Sequence, residues 1–322
     1  MGIKSNNKSE SYYNYFGESG TDAWAPYVFI SWYGTRGTWA GGYGVGGSVK
    51  NVIDYVTIAT TGNAADFGDM NNFIYGQGGC SNGTRGLVAG GRASNIQRQW
   101  ILYFDFATLG NTTSWGDLTE ARRYLGSCSD GKRGVWASGN NASDNSTNRI
   151  DYVDFVSNGT AQDFGDLSAA TKEVGACANL TRGVFAGGND GSYENEIQYI
   201  TIQTPSNTTD FGDLTISVTG LAGMSSAAGR GVYAGGWTGG NTNVISYITI
   251  ATTGNATDFG DLTTATEFAA ACTDGERGLI GGGTQGAVCN VIEWITIASP
   301  SGSSDFGDLT ESRAYCASQA GT

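Results

Sequence analysis

The chain has 322 residues with 52 Gly, only 3 Pro and no His, and a formal net charge of −13 at pH 7. So acidic a chain is not built to hold nucleic-acid phosphates, which need a basic stripe. The lack of His removes Ser-His-Asp and Cys-His catalysis and the His ligands of most zinc and copper sites. Abundant Gly without Pro or a G-X-Y period, among many β-branched and aromatic residues, excludes collagen and disorder and marks tight turns between short strands.

Residues 1–11 are polar and expected to be loose, and 1–23 read as an N-terminal arm before a propeller over 24–322. Met1–Lys8 has no apolar core of the signal-peptide kind, and no apolar run reaches the length of a membrane helix, so membrane insertion is not expected. Tyr15-Phe16-Gly17-Glu18 faintly echoes a motif seen later, and Tyr27–Tyr33 looks like a first strand.

From there two markers recur. Asp-x-Gly-Asp appears as Asp66–Asp69, Asp163–Asp166, Asp210–Asp213, Asp258–Asp261 and Asp305–Asp308, with Ser114–Asp117 as a variant. Arg-Gly begins at Arg36, Arg85, Arg133, Arg182, Arg230 and Arg277. Both keep a period of about 48, which is one supersecondary unit per repeat. In residues 119–166, Ala121–Ser127 reads as a first strand, Arg133–Ala137 as a second, Ile150–Val156 as a third and Gln162–Leu167 as a fourth. No segment keeps a helical period, so almost no helix is expected. A lone four-stranded sheet is not stable, and the third strands are apolar on both faces, as in Val52–Ile58. Radial stacking of six sheets into a closed ring buries both faces and leaves short edges, giving an all-β, six-bladed propeller.

The end of the chain, Ser312–Thr322, reads as another first strand, with Tyr315 seven residues after Asp308 as Tyr124 is after Asp117. It is expected to complete the blade of residues 36–69, displacing or flanking 27–33.

The repeats resemble kelch motifs, the propeller type of galactose oxidase. The likeness lies in the double glycine after the second strand (Gly41-Gly42, Gly90-Gly91, Gly187-Gly188, Gly235-Gly236, Gly282-Gly283), the third-strand Tyr (Tyr55, Tyr152, Tyr199, Tyr247) and the fourth-strand aromatic (Phe67, Trp115, Phe164, Phe211, Phe259, Phe306). The copper chemistry of that enzyme uses His, so the likeness does not carry the activity. The wording of residues 243–263 is similar to repeat proteins of marine tailed phages. That resemblance implies a non-enzymatic virion protein contacting other virion proteins, or host-surface glycan or protein, and oligomeric through virion assembly.

Asp-Phe-Gly is also a kinase signature, but no Gly-rich loop, β3 Lys or His-Arg-Asp loop accompanies it. The repeated Asp69, Asp117, Asp166, Asp213, Asp261 and Asp308 are either Ca²⁺ ligands or, as favoured here, turn caps that pair one to one with Arg36, Arg85, Arg133, Arg182, Arg230 and Arg277. No cofactor is expected beyond Ca²⁺ as an outside case. Cys80, Cys128, Cys177 and Cys272 lie five residues before Arg-Gly, a slot held by Ser31 and Ser225 elsewhere, so they read as reduced structural residues. Asn82, Asn111, Asn145, Asn158, Asn179, Asn207 and Asn255 form sequons, which Asn- and Thr-rich turns produce without glycosylation. Trp39, Trp136, Phe185 and Tyr233 should be core between blades.

The loops after the double glycine differ most between repeats and emerge with the fourth-to-first connections on one face. Tyr43, Arg92, Tyr193 and Trp237 lead the candidate binding residues there, because aromatic and Arg side chains dominate interface energy, with Asn141, Asp144, Asn241 and Gln285 beside them. The second functional class is a lectin-like glycan-binding propeller, Ca²⁺-assisted if at all. A third, a glycan-cleaving or oxidising enzyme, would need carboxylates clustered at the channel mouth.

Overall fold

The structure, a computed structural model, describes residues 33–157 and 159–322. Six four-stranded antiparallel sheets stand around one axis. Among the described residues there is no α-helix, only a 3-10 turn at Val45–Gly47. From the axis outward, blade 1 is Ala317–Gly321, Arg36–Gly44, Val49–Thr57 and Ala65–Asp69. Blade 2 is Tyr75–Ser81, Arg85–Ala93, Trp100–Asp105 and Thr113–Asp117. Blade 3 is Gly126–Ser129, Arg133–Ala137, Thr147–Asp154 and Gln162–Thr171; blade 4 is Gly175–Ala178, Arg182–Ala186, Glu196–Thr201 and Thr209–Asp213. Blade 5 is Ala222–Ser225, Arg230–Ala234, Val244–Thr249 and Thr257–Asp261; blade 6 is Ala270–Thr273, Arg277–Gly281, Val291–Thr296 and Ser304–Asp308.

The ring is closed by the end of the chain. Ala317–Gly321 pairs antiparallel with Arg36–Ala40, from Arg36 opposite Gly321 to Ala40 opposite Ala317. It also lies beside the inner strands of both blade 2 and blade 6. The C-terminal strand thus completes blade 1, as its spacing predicts. The segment 27–32 expected to compete for that place lies outside the described residues, as do 1–11, Tyr15–Glu18 and Asn158.

Each recurring residue has a task between blades. In the Asp-x-Gly-Asp motif, a Cβ on Gly68 would meet the Gly110 carbonyl of the next blade at 2.4 Å, so only Gly allows the outer strands to approach. Asn111 Oδ1 then accepts from the Asp69 N–H at 2.9 Å. Asn207, Asn255 and Asn63 staple Asp166, Asp213 and Asp308 in the same way, each at 3.1 Å. The sequon asparagines 111, 207 and 255 therefore hold the rim together. The double glycine takes positive φ at both residues, +65° and +114° in Gly235-Gly236. A Cβ on Gly235 would meet the Thr266 carbonyl at 2.3 Å, while the Gly236 N–H donates to that carbonyl at 2.8 Å.

The Arg of Arg-Gly does not pair with these Asp residues. Each lies over the third-strand aromatic of its own blade, 4.3 Å for Arg182 on Tyr199 and 5.5 Å for Arg36 on Tyr55 at the extremes. Five of the six also donate to a carbonyl of the next blade, as Arg230 does to Ile297 at 2.7 Å. Where an ion pair forms it is with the end of the third strand, Arg85 with Asp105 and Arg133 with Asp154. The motif carboxylates sit too far out along the fourth strand, where Asp66 instead caps the Gly68 N–H at 3.1 Å.

The buried ion pairs are others. Arg122 with Asp151, and Arg313 with Asp54, are both 2.7 Å apart with side chains fully buried. The Arg belongs to the connection entering a blade and the Asp to the third strand of that blade, so each pair locks a connection down. Arg122 is one reason the first strand of blade 3 begins at Gly126 rather than Ala121. The other is Tyr124, whose φ of +65° breaks extended backbone.

Trp39, Trp136, Phe185 and Tyr233 are buried between blades as expected. Trp136 donates to the Gly78 carbonyl of the preceding blade at 3.1 Å, and Trp39 to that of Ala270 at 3.0 Å. The six cysteines are free thiols. Cys80, Cys128, Cys177 and Cys272 pack their sulfur where a Cβ on the Arg-Gly glycine of the next blade would stand, as Cys128 does against Gly183. In blade 5 that place is taken by Met224 against Gly278, not by Ser225, because the turn before Arg230 is one residue longer. In blade 1 the same register position is Gln319, opposite Thr38.

Candidate functional site

The blade order puts the first-to-second and third-to-fourth turns on one face and the second-to-third loops with the fourth-to-first connections on the other. The channel between the faces is walled by small residues, Gly79, Ser127, Ala176, Gly223, Ala271 and Ser318, one per inner strand. At its turn-face end stand Cys80, Cys128, Cys177 and Cys272, whose thiols burial pushes up, Cys177 and Cys272 to about 12. Thiols held protonated in this way are poor nucleophiles.

The loop-face end differs. Six equivalent residues, Gly76, Tyr124, Glu173, Gly220, Phe268 and Tyr315, all have φ between +53° and +71°. Their backbones form a closed hydrogen-bonded circle in which each N–H donates to the carbonyl of its counterpart in the preceding blade, from Tyr124 to Gly76 at 2.5 Å round to Gly76 to Tyr315 at 2.9 Å. Left-handed backbone suits Gly. For Tyr, Glu and Phe it costs on the order of 1 kcal/mol each, and such strain is held where it serves a site.

The side chains at those positions gather over the axis. Phe268 stacks on Tyr315 with centroids 4.2 Å apart, and Tyr315 meets Tyr124 at 5.2 Å. Tyr75 joins both, at 6.3 Å from each. Arg123 lies 4.5 Å over the Tyr124 ring and donates to the hydroxyls of Tyr75 and Tyr124 at 3.0 and 3.1 Å. On the other side are two carboxylates. Burial raises Glu173, which accepts from Thr219 Oγ1 at 3.0 Å. Burial, reinforced by the charge of Glu173, pushes Glu267 up to about 7. Burial also pushes the Tyr124 and Tyr315 phenols up.

Of the residues chosen from the sequence, three border this mouth. Tyr43 meets Tyr75 at 5.2 Å. Arg92 lies opposite Tyr75 in the sheet, near enough to act on the Tyr124 phenol, and its buried Nε donates to no acceptor. Asp144 pairs with Arg123 at 2.9 Å and accepts from Gln97 at 2.6 Å. The others lie farther out and knit loops together. Trp237 donates to the Tyr193 hydroxyl at 2.9 Å, Asn241 to the Thr284 carbonyl at 2.6 Å and Gln285 to Thr266 at 3.0 Å. Asn141 caps its own turn by accepting from the Ser143 and Asn145 N–H groups. These bonds tie the half-buried loops of blades 4, 5 and 6 to one another, while the Asn141 loop is held by its own turn.

The residues missed from the sequence are Tyr75, Arg123, Tyr124, Glu173, Glu267, Phe268 and Tyr315. For Tyr124, Glu173, Phe268 and Tyr315 the signal was a column of the repeat that keeps its spacing while changing from Gly to Tyr, Glu or Phe; Tyr75, Arg123 and Glu267 each come one residue before that column. For a metal, no group of three or more Cys, Asp or Glu is placed to hold one among the described residues. No family profile and no curated protein matches the chain.

Proposed function

We propose that the protein is a non-enzymatic structural and binding propeller of a tailed-phage particle, kelch-like in its repeats, that contacts other virion proteins or the host surface through its loop face. One observation carries the binding part: the diversified loops and a strained, aromatic, charged mouth share one face of a closed rigid ring. Rigid scaffolds bind with the face whose residues vary, because ordering costs are already met by the fold. The virion part rests on the phage-like wording of residues 243–263. Protonated buried thiols and a channel wall of Gly, Ala and Ser supply no nucleophile with its base, which supports a role without catalysis, whereas the Glu173 and Glu267 carboxylates at the mouth are the one feature among the described residues that a glycan-cleaving reading would draw on.

Cryo-EM density or immunogold labelling of purified particles tests this. The chain is expected at stoichiometric copy number with its loop face against a neighbour or turned outward. Its absence from particles would overturn the assignment. The lectin reading is favoured by the aromatic mouth, since ring faces stack on sugar C–H surfaces. A glycan array probed with and without chelator, silent in both conditions, would discard it.

A further inference from the structure

The floor of the mouth holds an acceptor that the protein leaves unsatisfied. Among the described residues no Lys or Arg lies within ion-pair distance of Glu173 or Glu267, the ion pairs of this face being Arg123 with Asp144, Arg149 with Glu120 and Lys50 with Glu311. Just below them Gln77 is 4% exposed. Its Nε2 donates to the Ala40 carbonyl at 2.8 Å, while its Oε1 receives no donor from the protein. Gln77, Glu173, Tyr124, Phe268 and Tyr315 border one cavity of about 90 Å³ at the end of the channel. A buried carbonyl oxygen without a donor and a buried carboxylate without an ion-pair partner, with Glu267 near enough at the rim to feel its charge, call for one and the same thing, a small group that brings several N–H donors and positive charge.

We propose that this cavity takes a primary ammonium group on a slim stem, as presented by a lysine side chain or an amino sugar. The assignment rests on the loop face being the binding face and adds the ligand class. An ammonium has three donors and no acceptor, which matches Gln77 Oε1 and the Glu173 carboxylate in the cavity, with Glu267 adding negative charge at the rim. The faces of Phe268, Tyr315 and Tyr124 suit its charge and the methylene stem behind it. A neutral hydroxyl would leave the carboxylate pair repelling, and an anion would add to it. The charged and titratable groups facing the pair are Lys172 beside Glu173, Arg123 and Arg92 across the mouth, and the phenols of Tyr75, Tyr124 and Tyr315. Arg123 and Lys172 offset part of the Glu173 charge, but burial outweighs them, and Arg123 makes its ion pair with Asp144 and its hydrogen bonds with two phenols rather than with either carboxylate. Binding of the lysine-type amine should strengthen from pH 6 to pH 8 as the carboxylates ionise, because its ammonium stays protonated throughout; an amino sugar, whose ammonium titrates in the α-amino range of about 7.7–8.0, should bind best near pH 7.

Calorimetric titration of the full chain at pH 7, where both ligands carry the ammonium, tests this with two amines, Nα-acetyl-lysine amide and glucosamine. Nα,Nε-diacetyl-lysine amide and N-acetylglucosamine are their uncharged counterparts. At least one amine should bind, with its acetylated counterpart on the order of tenfold weaker or more. Binding by the lysine derivative alone assigns a protein source, and by glucosamine alone an amino-sugar source. Glu173→Gln should weaken binding by a similar factor. Glu267→Gln, at the rim, should weaken it by less and provides the test if the first variant fails to fold. Silence of both amines, or equal binding of charged and acetylated forms, overturns the ammonium site. Equal binding would leave the loop face as a sugar-binding surface, and particles lacking the chain would remove the role beneath both.

Discussion

Removing Asp54 should open the ring at its seam. The Asp54 carboxylate accepts from Arg313 at 2.7 Å, from the Thr310 N–H at 2.9 Å and from Thr310 Oγ1 at 2.6 Å. All three donors belong to the connection that leads into the closing strand. In Asp54→Ala the Arg313 guanidinium keeps the carbonyls of Val52, Gly41 and Trp39 but stays buried without a counter-charge. Breaking such a pair from one side costs about 3–5 kcal/mol. At about 2 °C per kcal/mol for a chain this long, the Tm should fall by on the order of 6–10 °C. Asp151→Ala is the matched control, since Arg122 has the same geometry but guards the entry to blade 3. The two variants should lose similar stability and differ in where they open. Cys316 is buried and bonded to the Gly41 carbonyl behind the closing strand. Its labelling by a thiol reagent under native conditions should accelerate on the order of a hundredfold in Asp54→Ala and stay near the wild-type rate in Asp151→Ala. The double variant Asp54→Leu/Arg313→Met should recover most of the lost stability. A Tm unchanged in Asp54→Ala, or equal Cys316 labelling in both variants, would refute the assignment of the seam.

Three further outcomes are expected. Gly235→Ala, at φ +65° and facing the Thr266 carbonyl, should cost about 2–4 kcal/mol, whereas Gly239→Ala, at φ +99° in open space, should cost about 1 kcal/mol; chemical denaturation compares them. Glu267 has a folded pKa of about 7, above its unfolded value, so its contribution is complete at pH below about 4.5 and is lost as pH rises through 7. The Tm should therefore decline over that window, with Glu173 acting in the same direction, and the decline should be shallower in Glu267→Gln. Native thiol titration should modify Cys289 first, the one cysteine not fully buried, and reach six thiols only on unfolding; rapid reaction of Cys80 or Cys128 would contradict the packing.

Much of the blade was legible in the repeats because each marker acts locally or at a fixed distance. The double glycine shows itself because two adjacent residues need positive φ in every blade, and Asp-x-Gly-Asp because its Gly meets a neighbour's backbone in every blade. The Arg misled for the same reason. Six Arg and six motif acids have matching counts, but a count carries no direction, and the strand geometry points the guanidinium at the third-strand aromatic. Arg122 and Arg313 looked like ordinary strand residues, since nothing nearby in the chain announces a buried acid 29 residues later or 259 residues earlier.

By itself the amino-acid sequence determined the period, the number of blades, the absence of helical patterning and the residues that sheets of this kind bury against one another. These follow from side-chain alternation and turn chemistry, which act over a few residues. Only the tertiary structure decided that residues 76, 124, 173, 220, 268 and 315 meet on the axis, that Gln77 lies beneath them, and that the last strand seals the first blade. A periodic chain encodes its unit many times over, whereas the axis belongs to no unit and exists only once the ring has closed.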